Sequence, residues 1–125
     1  MKWLCVTLLV LVVACPAKAA EFSGDYLLQV CSSNKEGKEF SPGSHTACQA
    51  YISGIIDYHR LMRSMGAGPG IDFCVPEGTS LYKIQHNIFK YLYQNHHEQG
   101  PFIAAPAVAL ALHKSYPCTK KKKTP

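Results

Sequence analysis

Four cysteines, spaced widely behind an apolar amino-terminal segment, constrain the fold of this chain more than any other feature. They are Cys31, Cys48, Cys74 and Cys118. An even set of four in a short exported domain implies two disulfides, for which three connectivities exist. A zinc site is the alternative, but it is disfavoured because the chain has no C-x-x-C pair and the gaps are 17, 26 and 44 residues.

The first 19 residues have the pattern of a secretory signal peptide. Lys2 supplies a positive charge, and residues 3–15 are apolar with a single exception. The small residues Ala17 and Ala19 predict cleavage before Ala20. We expect no permanent transmembrane anchor here, because 13 helical residues rise only about 20 Å and a bilayer core is about 30 Å thick.

A bacterial lipoprotein signal is the alternative interpretation of the same segment. Residues 12–15 read Val-Val-Ala-Cys, which resembles a lipobox in which Cys15 would be acylated. An uncleaved apolar first helix is the remaining alternative. Both cleavage routes leave the same four cysteines in the body and place it in a compartment where disulfides persist.

The positive charge of the chain is concentrated at its two ends. The 125 residues include 13 Lys and Arg and 8 Asp and Glu, for a formal net charge of +5. Residues 20–118 carry seven basic and eight acidic side chains, because Lys2, Lys18 and residues 120–123 hold the other basic charges. A nucleic-acid-binding surface is therefore not expected. The predicted organisation is a signal peptide over 1–19, a body over 20–118 and a disordered basic tail over 119–125.

Helical hydrophobic spacing predicts an all-α body, a small bundle of about four helices stapled by two disulfides. Ser23 is the expected N-cap of the first helix. Thr79 or Ser80 is the expected N-cap of the third helix, which is expected to end near Asn95. Pro106 is expected at the first position of the fourth helix, where its missing N–H is harmless.

The second helix carries the strongest signals. Thr46 and Gln49 form a capping box, and Gly66 is a natural stop. Gly54 inside the helix costs about 1 kcal/mol relative to alanine. It predicts close approach by a neighbouring helix, with a functional contact as the alternative. Two apolar stripes recur at helical spacing, one being Cys48, Ile52, Ile55, His59 and Met62, the other Tyr51, Ile55, Tyr58, Met62 and Met65.

The order of the helices also predicts which cysteines pair. Cys31 ends the first helix and Cys48 begins the second. Cys74 precedes the third helix and Cys118 follows the fourth. If each helix pair is an antiparallel hairpin, its two cysteines meet at the open end. The predicted disulfides are therefore Cys31–Cys48 and Cys74–Cys118.

The body shows no catalytic set. It has no G-x-S-x-G elbow, P-loop or G-x-G-x-x-G motif. Its carboxylates lack the short-range pairing that a glycosidase needs, and four paired cysteines leave no free nucleophile. We therefore expect no enzyme activity, cofactor, metal or small-molecule substrate, and we keep a small cell-wall hydrolase only as a distant alternative.

Candidate contact residues lie where the third helix is expected to end. Residues 95–105 are predicted to form a polar loop, and Tyr82, Tyr91 and Tyr93 exceed what the helix stripe can bury. Exposed aromatic side chains suit protein–protein contacts. Adjacent histidines on a helix point about 100° apart, so a shared metal ion is disfavoured. The predicted partner-binding residues are Tyr93, His96, His97, Glu98 and Gln99.

Three segments of the body resemble the exported immunity proteins that accompany peptidoglycan amidases of type VI secretion, the Tai/Rap-type family. They are CQAYISGIID at 48–57, FCVPEGT at 73–79 and YPC at 116–118. The resemblance extends from about residue 22 to residue 118. These motifs are structural, so no contact residue is carried over from the family.

The resemblance implies a helical, disulfide-bonded protein of the periplasm. It also implies inhibition of a cognate peptidoglycan amidase effector by binding in its cleft, and homodimers among the relatives. An acid-activated periplasmic chaperone is the alternative function, because the six histidines would titrate near pH 6. Client protection at low pH would distinguish the two.

Overall fold

A computed structural model describes residues 22–119, which form four α-helices and no β-strand. The helices are α1 (Gly24–Cys31), α2 (Ser44–Ser64), α3 (Leu81–Gln99) and α4 (Ala104–Ser115). The predicted all-α fold is confirmed. The signal peptide, Cys15 and the basic run over 120–123 lie outside the described residues.

Several predicted helix boundaries are confirmed by their hydrogen bonds. The Ser23 hydroxyl accepts the N–H of Tyr26 at 3.2 Å, so it caps α1. The Ser80 hydroxyl caps α3 in the same way. Gly66 takes a φ of 71° just after α2, and Ala67 then donates its N–H to the carbonyl of Met62 at 3.0 Å. This is the Schellman arrangement that a glycine after a helix favours.

Two predicted helix starts are wrong. The helix α2 begins at Ser44, before the expected capping box at Thr46, and its N-cap is Gly43 with a φ of 83°. The helix α4 begins at Ala104, so Pro106 is its third residue and not its first. Proline is still tolerated there, because the first turn of a helix has no intrahelical partners for its N–H groups.

A side chain from the preceding loop caps α2. The carboxylate of Glu39 accepts the N–H of Gly43 at 2.9 Å and that of His45 at 3.0 Å. The hydrogen bond from His45, followed by that from Gly43, lowers the pKa of Glu39 below its usual value. The ionised carboxylate therefore stabilises the start of α2.

This cap predicts a pH-dependent effect of Glu39→Gln. The substitution should lower the melting temperature at neutral pH, because an amide is a weaker acceptor. A lowered folded-state pKa means that the stabilisation exists above the usual glutamate pKa and disappears as the pH falls through the lowered one. In thermal denaturation, the difference in melting temperature between variant and wild type should shrink as the pH is lowered from neutral to acidic. Glu36→Gln, at an exposed position of the same loop, is the control, and a gap independent of pH would contradict the prediction.

All four helices contribute to one hydrophobic core. The largest fully buried side chains are Leu27, Cys48, Ile52, Ile88, Val108 and Leu112. The helix α2 buries Cys48, Ile52, Ile56 and His59. Ile55 and Met62 of the predicted stripe are only partly buried. The core face of α2 is therefore rotated toward Ile56.

Both predicted disulfides are present. Cys31–Cys48 joins the end of α1 to α2 within the core, and Cys74–Cys118 joins the segment before α3 to the segment after α4. The N–H of Cys74 also donates to the carbonyl of Tyr116 at 2.8 Å. The hairpin argument therefore selected the right connectivity among the three.

The start of α1 packs closely on the short connection between α3 and α4. The N–H of Gly24 donates to the carbonyl of Phe102, and the N–H of Asp25 donates to that of Gly100, both at 2.9 Å. A Cβ atom at Gly24 would lie 2.7 Å from the carbonyl oxygen of Gln99. Glycine is therefore required here by the closeness of two backbones.

Candidate functional site

The predicted contact residues lie together at the carboxyl end of α3, but they do not form a loop. The helix continues to Gln99 across one non-helical residue, Asn95, with φ −118° and ψ 16°. The Asn95 side chain donates to the carbonyl of Tyr91 at 2.7 Å, and Gly100 donates to that of His96 at 2.8 Å. These bonds continue the helix past the kink, so the loop predicted over 95–105 is wrong in its first half.

Aromatic rings form a row along this end of α3. The row consists of Phe89, Tyr93, His96 and His97, whose successive ring centroids lie 6.1, 6.1 and 3.9 Å apart. Tyr93 is 63% exposed. His96 Nδ1 donates to the carbonyl of Tyr93 at 2.7 Å, which fixes that imidazole. The aromatic row therefore offers ordered ring surface to a partner at a small loss of conformational freedom.

The other two predicted contact residues differ in exposure. Glu98 is exposed, whereas Gln99 is only partly so. The Gln99 amide donates to the Tyr91 hydroxyl at 3.2 Å, and its carbonyl oxygen is buried without a hydrogen-bond partner among the described residues. The structure thus exposes Tyr93, His97 and Glu98, whereas His96 and Gln99 are partly buried.

An apolar groove between α2, α4 and the loop over 67–73 is a second candidate surface. Its volume is about 760 Å³. Its lining residues include Tyr51, Gly54, Ile55, Tyr58, Met62, Ile71, Phe73, Pro106 and Ala109. Sequence reasoning did not identify it as a site. The available signal was the second apolar stripe on α2, since one helix with two such stripes has more apolar surface than one core can bury.

Gly54 lies in this groove and not at a contact between helices. It is exposed, and a Cβ atom built there would meet no atom within 4 Å. The prediction that Gly54 allows close approach within the chain is therefore wrong. Its neighbour Tyr58 is 63% exposed, which leaves an aromatic ring at the open side of the groove.

The wall of the groove formed by the loop over 67–73 is held by polar contacts. The buried His59 places Nε2 3.0 Å from the Asp72 carboxylate and stacks on Phe73 at 3.7 Å between ring centroids. His113 of α4 donates to the backbone carbonyl of Asp72. These contacts tie the loop to α2 and α4, so the groove is preformed.

The opposite end of the groove adjoins the start of the described chain. The ring of Phe22 stacks on Tyr51, with centroids 4.3 Å apart and planes 13° apart. Partial burial raises the pKa of the Tyr51 hydroxyl. Aromatic packing therefore fixes Tyr51 as a rigid part of the groove.

Metal binding finds no support in the described part of the chain. Within residues 22–119, no three His, Cys, Asp or Glu side chains are grouped so that they could hold a metal ion. The close pair His96 and His97 has no third ligand of this kind beside it. The same residues contain no helix with both the length and the hydropathy needed to span a bilayer.

Comparison with known proteins identifies a family. A family model described as Rap1a immunity proteins matches residues 23–118. The matched region contains all four helices, both disulfides and both candidate surfaces. No curated protein matches the chain.

Proposed function

Because this chain belongs to the Rap1a immunity protein family, we propose that it binds and inhibits a peptidoglycan amidase effector of type VI secretion. Inhibition of this kind needs only binding to the effector, so the proposal requires no catalytic set in this chain. The three segments that resemble immunity proteins of such amidases support the choice of target. The amino-terminal signal supports the periplasm as the place of action, either as a free protein or anchored through an acylated Cys15.

The observation that carries this proposal is the aromatic row at the end of α3. An inhibitor that enters a cleft needs a protruding, ordered element, and the side chains of Tyr93, His96 and His97 meet this need on a helix. Exposed aromatic side chains are also the usual anchors of protein interfaces. Tyr93, His96, His97 and Glu98 are therefore the proposed contacts, with Gln99 holding the helix end from inside.

We further propose that the apolar groove receives a second copy of this chain and forms a homodimer. The second stripe of α2 is only partly covered within one chain, with Tyr58 and Met65 exposed, and the open space at Gly54 would admit a helix at short distance. In a two-fold symmetric contact, the same patch of α2 serves both subunits. The effector surface on α3 and the dimer surface on α2 then lie on different helices.

The test is inhibition of an amidase recovered with the protein itself. The exported chain, with disulfides intact, is used to isolate its partner from periplasmic and secreted extracts of the source cell. The partner's hydrolysis of purified peptidoglycan is then titrated with the wild type. We expect loss of activity at a simple molar ratio. Tyr93→Ala with His97→Ala should raise the concentration for half inhibition by about tenfold or more.

Two exposed tyrosines provide matched controls. Tyr82 lies on the same helix as Tyr93 and is 61% exposed, so Tyr82→Ala should inhibit like the wild type. Tyr58→Lys should remain inhibitory but become monomeric by light scattering. A partner without amidase activity would contradict the choice of target, and equal inhibition by the Tyr93/His97 variant would contradict the aromatic row as the contact. Loss of inhibition in Tyr58→Lys, with a monomeric wild type, would move the effector site to the groove.

A further inference from the structure

The two disulfides have different surroundings. Cys31 and Cys48 are 2% and 0% exposed and lie in the core. Cys74 and Cys118 are partly exposed. Beside them lies Arg63, whose side chain is 47% exposed and whose Nη1 is 2.9 Å from the Cys74 sulfur. A thiol in solution can therefore reach one disulfide much more readily than the other.

We propose that Cys118 is a site of thiol–disulfide exchange with small thiols such as glutathione. The thiolate of the incoming thiol attacks Sγ of Cys118 and forms a new mixed disulfide there. The bond between the sulfurs of Cys118 and Cys74 breaks, and Cys74 leaves as a thiolate. A second thiol that attacks the mixed disulfide releases the oxidised small disulfide and Cys118 as a thiolate, so two thiols are oxidised while one protein disulfide is reduced.

The position of Arg63 determines which sulfur leaves. Its Nη1 donates to both sulfurs, to that of Cys74 at 2.9 Å and to that of Cys118 at the longer distance of 3.6 Å. A guanidinium stabilises a thiolate, and the better-stabilised thiolate is the better leaving group. The Asp72 carboxylate shares the same nitrogen at 3.7 Å, farther away than the Cys74 sulfur. Attack at Cys118 with departure of Cys74 is therefore the favoured direction.

Exchange at this site would change how the groove is held. Cys74 directly follows the loop over 67–73, which carries Ile71 and Phe73 of the groove wall. The disulfide ties this wall covalently to the segment that follows α4. Once the disulfide opens, only non-covalent contacts hold the wall to this segment, among them the hydrogen bond from Cys74 N–H to the Tyr116 carbonyl. The exchange chemistry itself does not depend on the proposed effector.

The test follows the reaction of the oxidised exported chain with reduced glutathione. Samples are quenched with acid, and non-reduced proteolytic peptides are identified by mass spectrometry. We expect the Cys74–Cys118 linkage to disappear about tenfold or more faster than Cys31–Cys48. The first glutathione adduct should be on Cys118. Equal loss of both linkages, or a first adduct on Cys74, would overturn the proposal.

Variants of two arginines separate the effect of charge from loosening of the fold. Arg63→Met should slow the exchange by about two- to fivefold, as expected for loss of an exposed charge contact of about 0.5–1 kcal/mol. General loosening would instead speed the reaction, so the sign of the change distinguishes the two. Arg63→Lys should restore part of the rate. Arg60→Met, on the same helix and paired with Asp57 at 3.8 Å, should react like the wild type. Faster or unchanged exchange in Arg63→Met would overturn the role of the guanidinium.

Discussion

Replacing Cys31 and Cys48 together with alanine is expected to lower the free energy of unfolding by about 3 kcal/mol or more. The disulfide joins residues 17 positions apart, and in the chain-entropy model a loop of this length contributes about 3 kcal/mol. Both half-cystines are buried in the core, so the alanines also leave unfilled volume. Because domains of this size are stable by only about 5–15 kcal/mol, the loss would be a large fraction of the total.

Urea denaturation followed by far-ultraviolet circular dichroism, under non-reducing conditions, measures this change. The matched variant is Cys31→Ser with Cys48→Ser, which places hydroxyl groups in the same apolar site. Its free energy of unfolding should be lower than that of the alanine variant by about 1–3 kcal/mol, since a buried hydroxyl without a partner is unfavourable. A loss below about 1 kcal/mol in the alanine variant, or equal stability of the two variants, would contradict the assignment of this disulfide to the core.

The disulfide pairing was predictable because it depends on chain order and helix direction alone. If consecutive helices of a small bundle pack as antiparallel neighbours, the ends that carry Cys31 and Cys48, or Cys74 and Cys118, come close. Helix caps at Ser23 and Ser80 were predictable for a similar reason, since a cap is a contact over three residues. Such features are decided locally or by topology, and a single sequence contains that information.

The errors concern contacts that the spacing rules for helices do not include. The helix α2 starts at Ser44 because the carboxylate of Glu39, in the preceding loop, caps it. The helix α3 continues to Gln99 because α1 and the connection to α4 hold its end. Gly54 was expected at an internal contact, although only the three-dimensional position of α4 shows that the space beside it is open.

The candidate site also has one part that was predictable from the sequence and one part that was not. Tyr93, His96 and His97 were recognised because aromatic residues beyond the core stripe are visible in the sequence. Their arrangement as a row of adjacent rings on a helix was not predicted, because α3 was expected to end near Asn95 and in fact continues to Gln99. Because residues 96–99 belong to α3, glycine and serine replacements there would disrupt the helix. Side-chain truncation at exposed positions tests the contact without that effect.

Alanine at Gly24 and alanine at Gly54 are expected to change stability in opposite directions. A Cβ at Gly24 would lie 2.7 Å from the Gln99 carbonyl oxygen and 3.2 Å from the Gly100 Cα. Both are backbone atoms of a segment that is hydrogen-bonded to α1. The steric clash can therefore be relieved only if these hydrogen bonds shift. Overpacking of this kind typically costs about 1–3 kcal/mol. At Gly54 the same methyl group enters open space within a helix, where alanine is favoured over glycine by about 1 kcal/mol.

Urea denaturation of both variants, repeated over a range of protein concentrations, measures this difference and also reports on the groove. Each variant is the control for the other, since both make the same chemical change within a helix. If Gly24→Ala leaves the free energy of unfolding unchanged, α1 and the α3–α4 connection are farther apart than the structure shows. If a second chain packs at Gly54, alanine there should stabilise the dilute monomer while weakening association. If Gly54→Ala is more stable than the wild type at every protein concentration, association is not weakened. That result would contradict Gly54 as the point of closest approach in a dimer.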